Sequence, residues 1–266
     1  MNTTRIYALC LRQFYLIRDN PTRLIQIFGW VLFDLVLWGF LSRYLSGLVG
    51  GETRFTPLFL GAVLVWYFTT RVMHGVATAF FEDVWTQNFL NVFASPLSTG
   101  EYVVALVATG MTTSIISLVF MMGVAKVFFG FSVFAYGVYL LPFLLILFLT
   151  GIALGVMSVG LVLRFGPSAE WFIWPIPEML SPIVGVFYPV AVLPLWLQFG
   201  SYLLPPTYVF ENIRVIVGGG APSITQLIFA TVLAFFYIFL AYEYFKKVFV
   251  QVLRTGLIAR YSSESA

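Results

Sequence analysis

Long uninterrupted apolar segments alternate with short polar ones along this chain, and the pattern predicts membrane-spanning helices. A helix needs roughly 20 mostly apolar residues to cross the hydrocarbon core of a bilayer. Six segments meet this requirement: Leu24–Leu45, Pro57–Phe80, Tyr102–Phe129, Phe134–Leu163, Glu170–Tyr188 and Ile224–Tyr244. A membrane β-barrel would instead alternate apolar and polar residues in segments of about ten. We therefore predict an all-α integral membrane protein with six transmembrane helices and both termini on one side.

The N-terminal residues predict an amphipathic helix at the membrane surface. Polar residues fall on one helical arc and apolar residues on the opposite one: Arg5, Arg12, Gln13, Asp19 and Asn20 against Ile6, Cys10, Phe14 and Ile17. The pattern divides the chain into an interfacial helix over residues 1–23, a six-span domain over 24–245 and a C-terminal segment over 246–266. No attached soluble domain is expected.

Composition supports the same class. The 266 residues are 61% hydrophobic and only 9% charged, whereas a soluble globular chain carries about 25% charged residues. The chain therefore has too few charges to cover a surface that faces water.

The basic residues predict which side of the membrane each connection occupies. The side of the two termini carries nine: Arg5, Arg12, Arg18, Arg23, Arg164, Lys246, Lys247, Arg254 and Arg260. The other side carries four: Arg43, Arg54, Lys126 and Arg214. Because cytoplasmic loops are enriched in Lys and Arg, we expect both termini in the cytoplasm. The net charge of +3 is explained by cations facing anionic lipid, so no nucleic-acid partner is expected.

A short amphipathic segment, Phe80–Phe93, lies between the second and third spans and is followed by Ser95 and Pro96. Apolar residues recur on it at helical spacing, and polar residues fill the other face: Phe81, Val84, Trp85, Phe89 and Val92 against Glu82, Asp83, Thr86, Gln87, Asn88 and Asn91. The charge distribution places this segment in the cytoplasm. It is typical of a surface helix that receives force from a partner outside the membrane.

Ionisable residues inside the predicted spans give the clearest chemical signal. Asp34 lies in the first span, Arg71 and the only histidine, His74, lie in the second, and Glu178 lies in the fifth. An unpaired charge at the bilayer centre costs at least ~2.5–3.5 kcal/mol on insertion scales. We therefore expect these four residues to form one polar cluster. It either lines a transport pathway or only holds spans one, two and five together.

Several kinds of site are excluded by the residues present. None of the three lysines fits the phosphate-binding G-x-x-x-x-G-K-[ST] loop, and no G-x-S-x-G or H-E-x-x-H motif occurs. One histidine and one cysteine, Cys10, cannot supply the three or four ligands of a zinc site. We expect no catalytic residues, no bound metal and no disulfide within the chain.

The region after the fifth predicted span is apolar but broken by prolines at positions 189, 194, 205 and 206. The pieces are too short to cross a bilayer, so we predict re-entrant or interfacial helices in the outer leaflet. Pro206 can open such a helix, and Glu211 and Arg214 are three residues apart, close enough to pair.

These features resemble the membrane-spanning subunit of ABC-2 type transporters, bacterial exporters that share a fold with the G-subfamily ABC proteins. The N-terminal amphipathic segment is similar to the connecting helix of that family. Phe80–Phe93 is similar to its coupling helix, although here the segment carries no cation. Gly185–Pro194 looks like the family signature near the end of the fifth span, and Leu203–Tyr208 resembles the re-entrant outer segment.

The resemblance implies a dimer in which each copy docks on a separate nucleotide-binding subunit. ATP and Mg²⁺ would bind that partner, and this chain would bind no cofactor. The residues expected to couple to the ATPase are Phe81, Glu82, Asp83, Trp85, Phe89, Ser95 and Pro96. The missing importer-type loop, with its Glu-Ala-Ala motif, favours export.

An aromatic-rich, charge-poor interior suggests an amphipathic or hydrophobic substrate, either a drug-like compound or a lipid. The resemblance implies that this substrate leaves the cytoplasm or the inner leaflet of a bacterial plasma membrane. Tyr67, Trp174, Phe187 and Tyr188 are candidate pathway residues, although they could equally face lipid or the protein core. A lipid-linked glycan is an alternative substrate. A self-contained channel or secondary transporter that uses Asp34, Arg71, His74 and Glu178 is the alternative from another class, and a membrane scaffold without transport is a third.

Overall fold

The computed structural model describes residues 2–19, 21–49, 55–86, 88, 92 and 95–255, and this part of the chain is mostly helical. It contains nine α-helices: α1 (Thr3–Arg18), α2 (Pro21–Val49), α3 (Phe55–Trp85), α4 (Thr99–Phe129), α5 (Leu140–Phe165), α6 (Ile176–Ile183), α7 (Leu195–Tyr202), α8 (Pro205–Val217) and α9 (Ile224–Arg254). Three 3₁₀ helices lie between them, at Val133–Tyr139, Pro167–Phe172 and Val190–Val192. No β-strand occurs among these residues, and the predicted all-α class is confirmed.

Five of the described helical segments are long and apolar enough to cross a membrane, judged by length and composition. They are Phe28–Leu45, Leu58–Trp85, Thr99–Phe129, Val133–Phe165 and Ile224–Arg254, and they overlap five of the six predicted spans. Helix α3 continues beyond the predicted end of the second span, and α9 runs without a break through the predicted domain boundary after residue 245. Large apolar side chains on α2 and α9 are exposed, as contact with lipid requires.

The predicted fifth span, Glu170–Tyr188, is not a single helix. It contains the end of the 3₁₀ helix Pro167–Phe172, a turn, and α6, which has only eight residues. Turn and bend residues follow α6 up to Tyr188. Proline has no backbone N–H and clashes with the preceding turn of a helix. Pro175 and Pro177 lie at the start of α6 and Pro182 lies inside it, so a longer helix is not maintained. The count of six spanning helices is therefore not confirmed.

Helix α1, Thr3–Arg18, lies within the segment predicted as an interfacial helix, but its buried side differs from the amphipathic expectation. Gln13 is buried and donates a hydrogen bond from Nε2 to the carbonyl oxygen of Ala79 (2.9 Å), whereas Phe14 is exposed. The polar arc of α1 faces the ends of α3 and α4 because hydrogen-bonding partners are available there. Burial of a polar group without such a partner would cost free energy.

Helix α3 occupies the centre of the fold and packs closely on α4 and α5. A Cβ atom added at Gly75 would lie 2.8 Å from the Cα of Gly110 on α4. One added at Gly151 would lie 2.8 Å from the carbonyl oxygen of Thr69, and one at Gly155 would lie 2.8 Å from the Cβ of Val76. Small residues at these positions let the helix backbones approach. The G-x-x-x-G of α5 is therefore a packing motif against α3.

The proline-rich segment between α6 and α9 is held by polar contacts to α8. Arg214 donates to Glu211 Oε1 at 2.9 Å, which confirms the predicted pair. The same Glu211 oxygen accepts the backbone N–H of Val190 at 2.8 Å. The side chain of Asn212 is buried and accepts the backbone N–H of Ser223 at 2.7 Å. These bonds fix the proline-rich segment on α8 and on the start of α9.

Candidate functional site

A cavity of about 800 Å³ lies between α2, α3 and residues 167–188. On α3 its wall extends from Val63 to Trp85. At about 1.5 Å per residue these two positions are roughly 33 Å apart along the helix axis, similar to the ~30 Å thickness of a hydrocarbon core. Gln13 of α1, bonded to Ala79, lines the half nearer Trp85. The cavity therefore follows α3 over a distance comparable with a bilayer.

The predicted polar residues meet in this cavity. Side chains spaced four, seven and eleven residues apart share one face of a helix, and this face of α3 carries Tyr67, Arg71, His74 and Thr78, all of which line the cavity. Asp34 of α2 and Glu178 of α6 line it from the other elements. All four predicted cluster residues thus line the same cavity. Whether the cluster serves transport or only holds the helices stays a prediction.

Three of the four candidate pathway residues line the same cavity. Tyr67, Trp174 and Phe187 do, whereas Tyr188 is not part of the wall. Phe187 stacks on Trp38 of α2 with ring centroids 4.5 Å apart and an interplanar angle of 11°. Trp174 meets the ring of His74 edge-on at 4.8 Å. Both contacts tie the broken segment to the helices opposite.

Tryptophan is concentrated in the wall. Five of the seven tryptophans of the chain line the cavity: Trp30, Trp38, Trp66, Trp85 and Trp174. Trp66 was not predicted as a site residue, although its spacing of eight from His74 placed it beside the polar stripe. Its indole N–H is buried and has no hydrogen-bond partner among the described residues. A donor of this kind is available to a ligand.

Acidic side chains outnumber basic ones in the described wall. Four carboxylates line it, from Asp34, Glu82, Glu170 and Glu178. Arg71 is the only arginine or lysine in that wall. Glu170 was not predicted as a site residue; its Oε2 accepts the indole N–H of Trp85 at 3.0 Å. Only the fold shows that this residue belongs to the cavity, because its partner is 85 positions away in sequence.

The residues predicted to couple to an ATPase lie in two different environments. Phe81, Glu82 and Asp83 are buried, because α3 continues as a helix through this region and packs there. The side chain of Trp85 is half exposed, and Ser95 and Pro96 are exposed. Phe89 lies outside the described residues. The coupling role of this set stays a prediction, with Trp85, Ser95 and Pro96 as its accessible members.

Asp83 anchors helix α1 to the cytoplasm-facing ends predicted for α3 and α4. Its Oδ1 lies 2.5 Å from a guanidinium nitrogen of Arg12, and its Oδ2 accepts the hydroxyl of Tyr102 at 2.8 Å. A second contact joins the start of α1 to α4, where the backbone N–H of Asn2 donates to Glu101 Oε1 at 2.6 Å. Glu101 also forms a capping box with Ser98 at the start of α4. These contacts connect α1 to α3 and α4, the two helices on either side of the predicted coupling segment Phe80–Phe93.

The side chains that line the cavity are of the kinds that bind an organic ligand. In the part of the chain that the structure describes, no group of three or more His, Cys, Asp or Glu residues could hold a metal ion. Cys10 is a free thiol whose sulfur lies 3.9 Å from the carbonyl oxygen of Ala105. The wall supplies aromatic rings, carboxylates and single hydrogen-bonding groups, which are features of a site for an organic ligand.

Comparison with known proteins identifies the family of the chain. No curated protein matches the chain. The family model for the ABC-2 type transporter matches residues 4–217, a range that includes α1 except Thr3, all of α2 to α8 and every described residue of the cavity wall. Members of this family are transmembrane permease components that work with an ABC ATPase and typically have no ATPase site of their own. The chain belongs to the ABC-2 type transporter family.

Proposed function

We propose that this chain is the permease subunit of an ATP-driven exporter for an amphipathic or hydrophobic substrate, either a drug-like compound or a lipid. A separate nucleotide-binding subunit supplies ATP hydrolysis. The substrate leaves the cytoplasm or the inner leaflet of a bacterial plasma membrane. Two copies of the chain, each docked on one ATPase subunit, form the working complex.

The observation that carries this proposal is the long cavity along α3. It is large enough for a drug-sized molecule, since ligand pockets are typically ~300–1,000 Å³. Its wall combines five tryptophans with a few polar side chains. Aromatic rings provide apolar contact area, and the polar groups orient a ligand that has one polar end.

The partners of the broken segment support a sixth crossing without a sixth long helix. Glu170 accepts a hydrogen bond from Trp85 near the end of α3. Trp174 contacts His74, eleven residues earlier on α3. Phe187 stacks on Trp38 of α2. Irregular backbone at membrane depth is tolerated where it lines a cavity. With this crossing the number of passes is even, and the excess of basic residues on the side of the termini favours a cytoplasmic position for both.

Coupling passes through the end of α3 in this proposal. Closure of the ATPase subunits would push the surface formed by Trp85, Ser95 and Pro96, which are accessible. Asp83 binds Arg12 and Tyr102, so movement there would shift α1 and α4 together. Since Trp85 also lines the cavity, the same movement would change the cavity opening.

Two other functions remain candidates. The five tryptophans of the wall could stack sugar rings, which would favour a lipid-linked glycan as substrate. The cluster of Asp34, Arg71, His74 and Glu178 could carry ions or protons, which would favour a self-contained channel or secondary transporter. The two classes differ in their energy source, so the deciding measurement is the dependence of transport on ATP.

The test is transport by the full chain reconstituted in proteoliposomes with an ABC ATPase that copurifies with it. The probes are a fluorescently labelled phospholipid, a hydrophobic dye and a lipid-linked oligosaccharide. We expect ATP-dependent transport of the phospholipid or the dye, which stops when the catalytic glutamate of the ATPase is replaced. Flux driven by an ion gradient without ATP, in liposomes that contain the chain alone, would refute the proposal in favour of the second class.

A further inference from the structure

We propose that the cavity selects amphipathic organic cations over anions of the same size and shape. This inference names the substrate class for the site described above, and it rests on the proposed function for its physiological meaning. The binding preference itself is a property of this chain alone.

The first argument is the charge of the wall. Among the described lining residues, four are acidic, Asp34, Glu82, Glu170 and Glu178, and one is a basic arginine, Arg71. Charges interact more strongly inside a protein than in water because the effective dielectric constant is lower. A bound anion would lose hydration and meet an excess of negative charge, whereas a cation would offset that excess.

The second argument is the distribution of these carboxylates over different elements. Asp34 belongs to α2, Glu82 to α3, and Glu170 and Glu178 to the broken segment 167–188. The acidic groups therefore surround the cavity instead of forming one strip on a single helix. Carboxylates therefore enter the cavity from three elements, whereas the described wall has one arginine, on α3.

The third argument is the position of the aromatic rings relative to the charge. Trp30 and Trp38 lie one helical turn before and after Asp34 on α2, and all three line the cavity. The face of an indole ring attracts cations through its quadrupole. Tryptophan next to a carboxylate thus suits an ion whose positive charge carries apolar groups. A small hydrated cation would gain little from the same rings.

The experiment compares two probes of nearly equal size and shape but opposite charge, tetraphenylphosphonium and tetraphenylborate. The full chain is placed in lipid nanodiscs without an ATPase, and saturable binding is measured by equilibrium dialysis after subtraction of binding to empty nanodiscs. We expect the cation to bind about tenfold or more tightly than the anion. Equal binding of the two probes, or tighter binding of the anion, would overturn the proposal.

Variants with controls identify the groups responsible. We expect Asp34→Asn and Glu178→Gln each to weaken binding of tetraphenylphosphonium several-fold and to leave binding of tetraphenylborate unchanged or stronger. The matched control Glu243→Gln changes an acid of α9 outside the described cavity wall and should have no effect. For the rings, Trp38→Ala should weaken cation binding, and Trp196→Ala, at an exposed position on α7, should not. If either control weakened binding as much as its cavity variant, the assignment to this cavity would be wrong.

The outcome separates the two proposals. Preference for the cation in nanodiscs, without ATP-dependent transport in the reconstituted complex, would support the binding inference and refute export. ATP-dependent transport of the labelled phospholipid without preference between the two ions would support export and refute the cation inference. The wild-type comparison needs no substitution, so it decides the question even if a variant fails to fold.

Discussion

The two faces of α3 show how one helix can serve both packing and binding. One face carries Val72 and Val76 and receives Gly151 and Gly155 of α5, with backbones close enough that a Cβ at either glycine would collide. Gly75 packs on α4 at the edge of the cavity. The other face carries Tyr67, Arg71 and His74 and lines the cavity. The packed face needs the absence of side chains, whereas the cavity face needs polar and aromatic ones. A substitution on the first face should therefore lower the stability of the fold, and one on the second face should change ligand binding or transport.

The largest effect is expected from filling the packed face. In Gly151→Leu the new Cβ would lie within 3 Å of Val72 and of the Thr69 backbone, so α3 and α5 must separate. Overpacking typically costs about 1–3 kcal/mol or more, and we expect loss of folded protein in a thermal-unfolding assay by size-exclusion chromatography. The control Gly123→Leu is on α4, where a Cβ would meet no atom within 4 Å. Equal loss in both variants would contradict the role of the packed face.

A change of charge on the cavity face should impair transport without unfolding the protein. We expect Arg71→Gln, Asp34→Asn and the double variant to remain folded, because each substitution keeps a polar side chain of similar size. We expect a loss of about tenfold or more of ATP-dependent transport, since a hydrogen bond from a charged group to substrate is worth about 1.5–3 kcal/mol. Full transport by the double variant would show that these charges serve no pathway. If the single charge reversals unfold the protein and the exchange of Asp34 and Arg71 restores it, the two residues hold the helices together.

The end of the cavity face near Trp85 should affect coupling to the ATPase. Trp85 is half exposed and bonds to Glu170. Because buried tryptophans often dominate protein interfaces, Trp85→Ala should lower affinity for the ATPase subunit by about tenfold, measured by titration of the purified subunits. Trp85→Phe keeps a ring but removes the N–H donor, which separates packing from the bond to Glu170. The control Trp196→Ala removes an exposed tryptophan of the outer segment. Unchanged affinity in Trp85→Ala would refute the coupling surface.

Helical periodicity in the sequence predicted correctly which α3 residues share the cavity face. It did not predict that the end of α3 is buried or that the fifth apolar segment is broken. The spacing of Tyr67, Arg71 and His74 on one helix was sufficient to place them together, since helix geometry is local. The burial of Asp83 was not predictable from its surroundings in sequence, because it depends on Arg12 of α1. The prolines of the fifth apolar segment were visible in the sequence, but hydropathy alone treats a broken segment and a helix alike.

The smallest effect should come from a single hydroxyl on the cavity face, and it tests whether the two faces are independent. Tyr67 lines the cavity and is only partly buried. Tyr67→Phe keeps the ring and removes one hydrogen-bonding group, worth about 0.5–1.5 kcal/mol where it is used. If the hydroxyl contacts substrate, the KM for transport should rise about threefold while the melting temperature stays unchanged. A lower melting temperature with an unchanged KM would instead show that this hydroxyl holds the helices, and the division between the two faces of α3 would not extend to Tyr67.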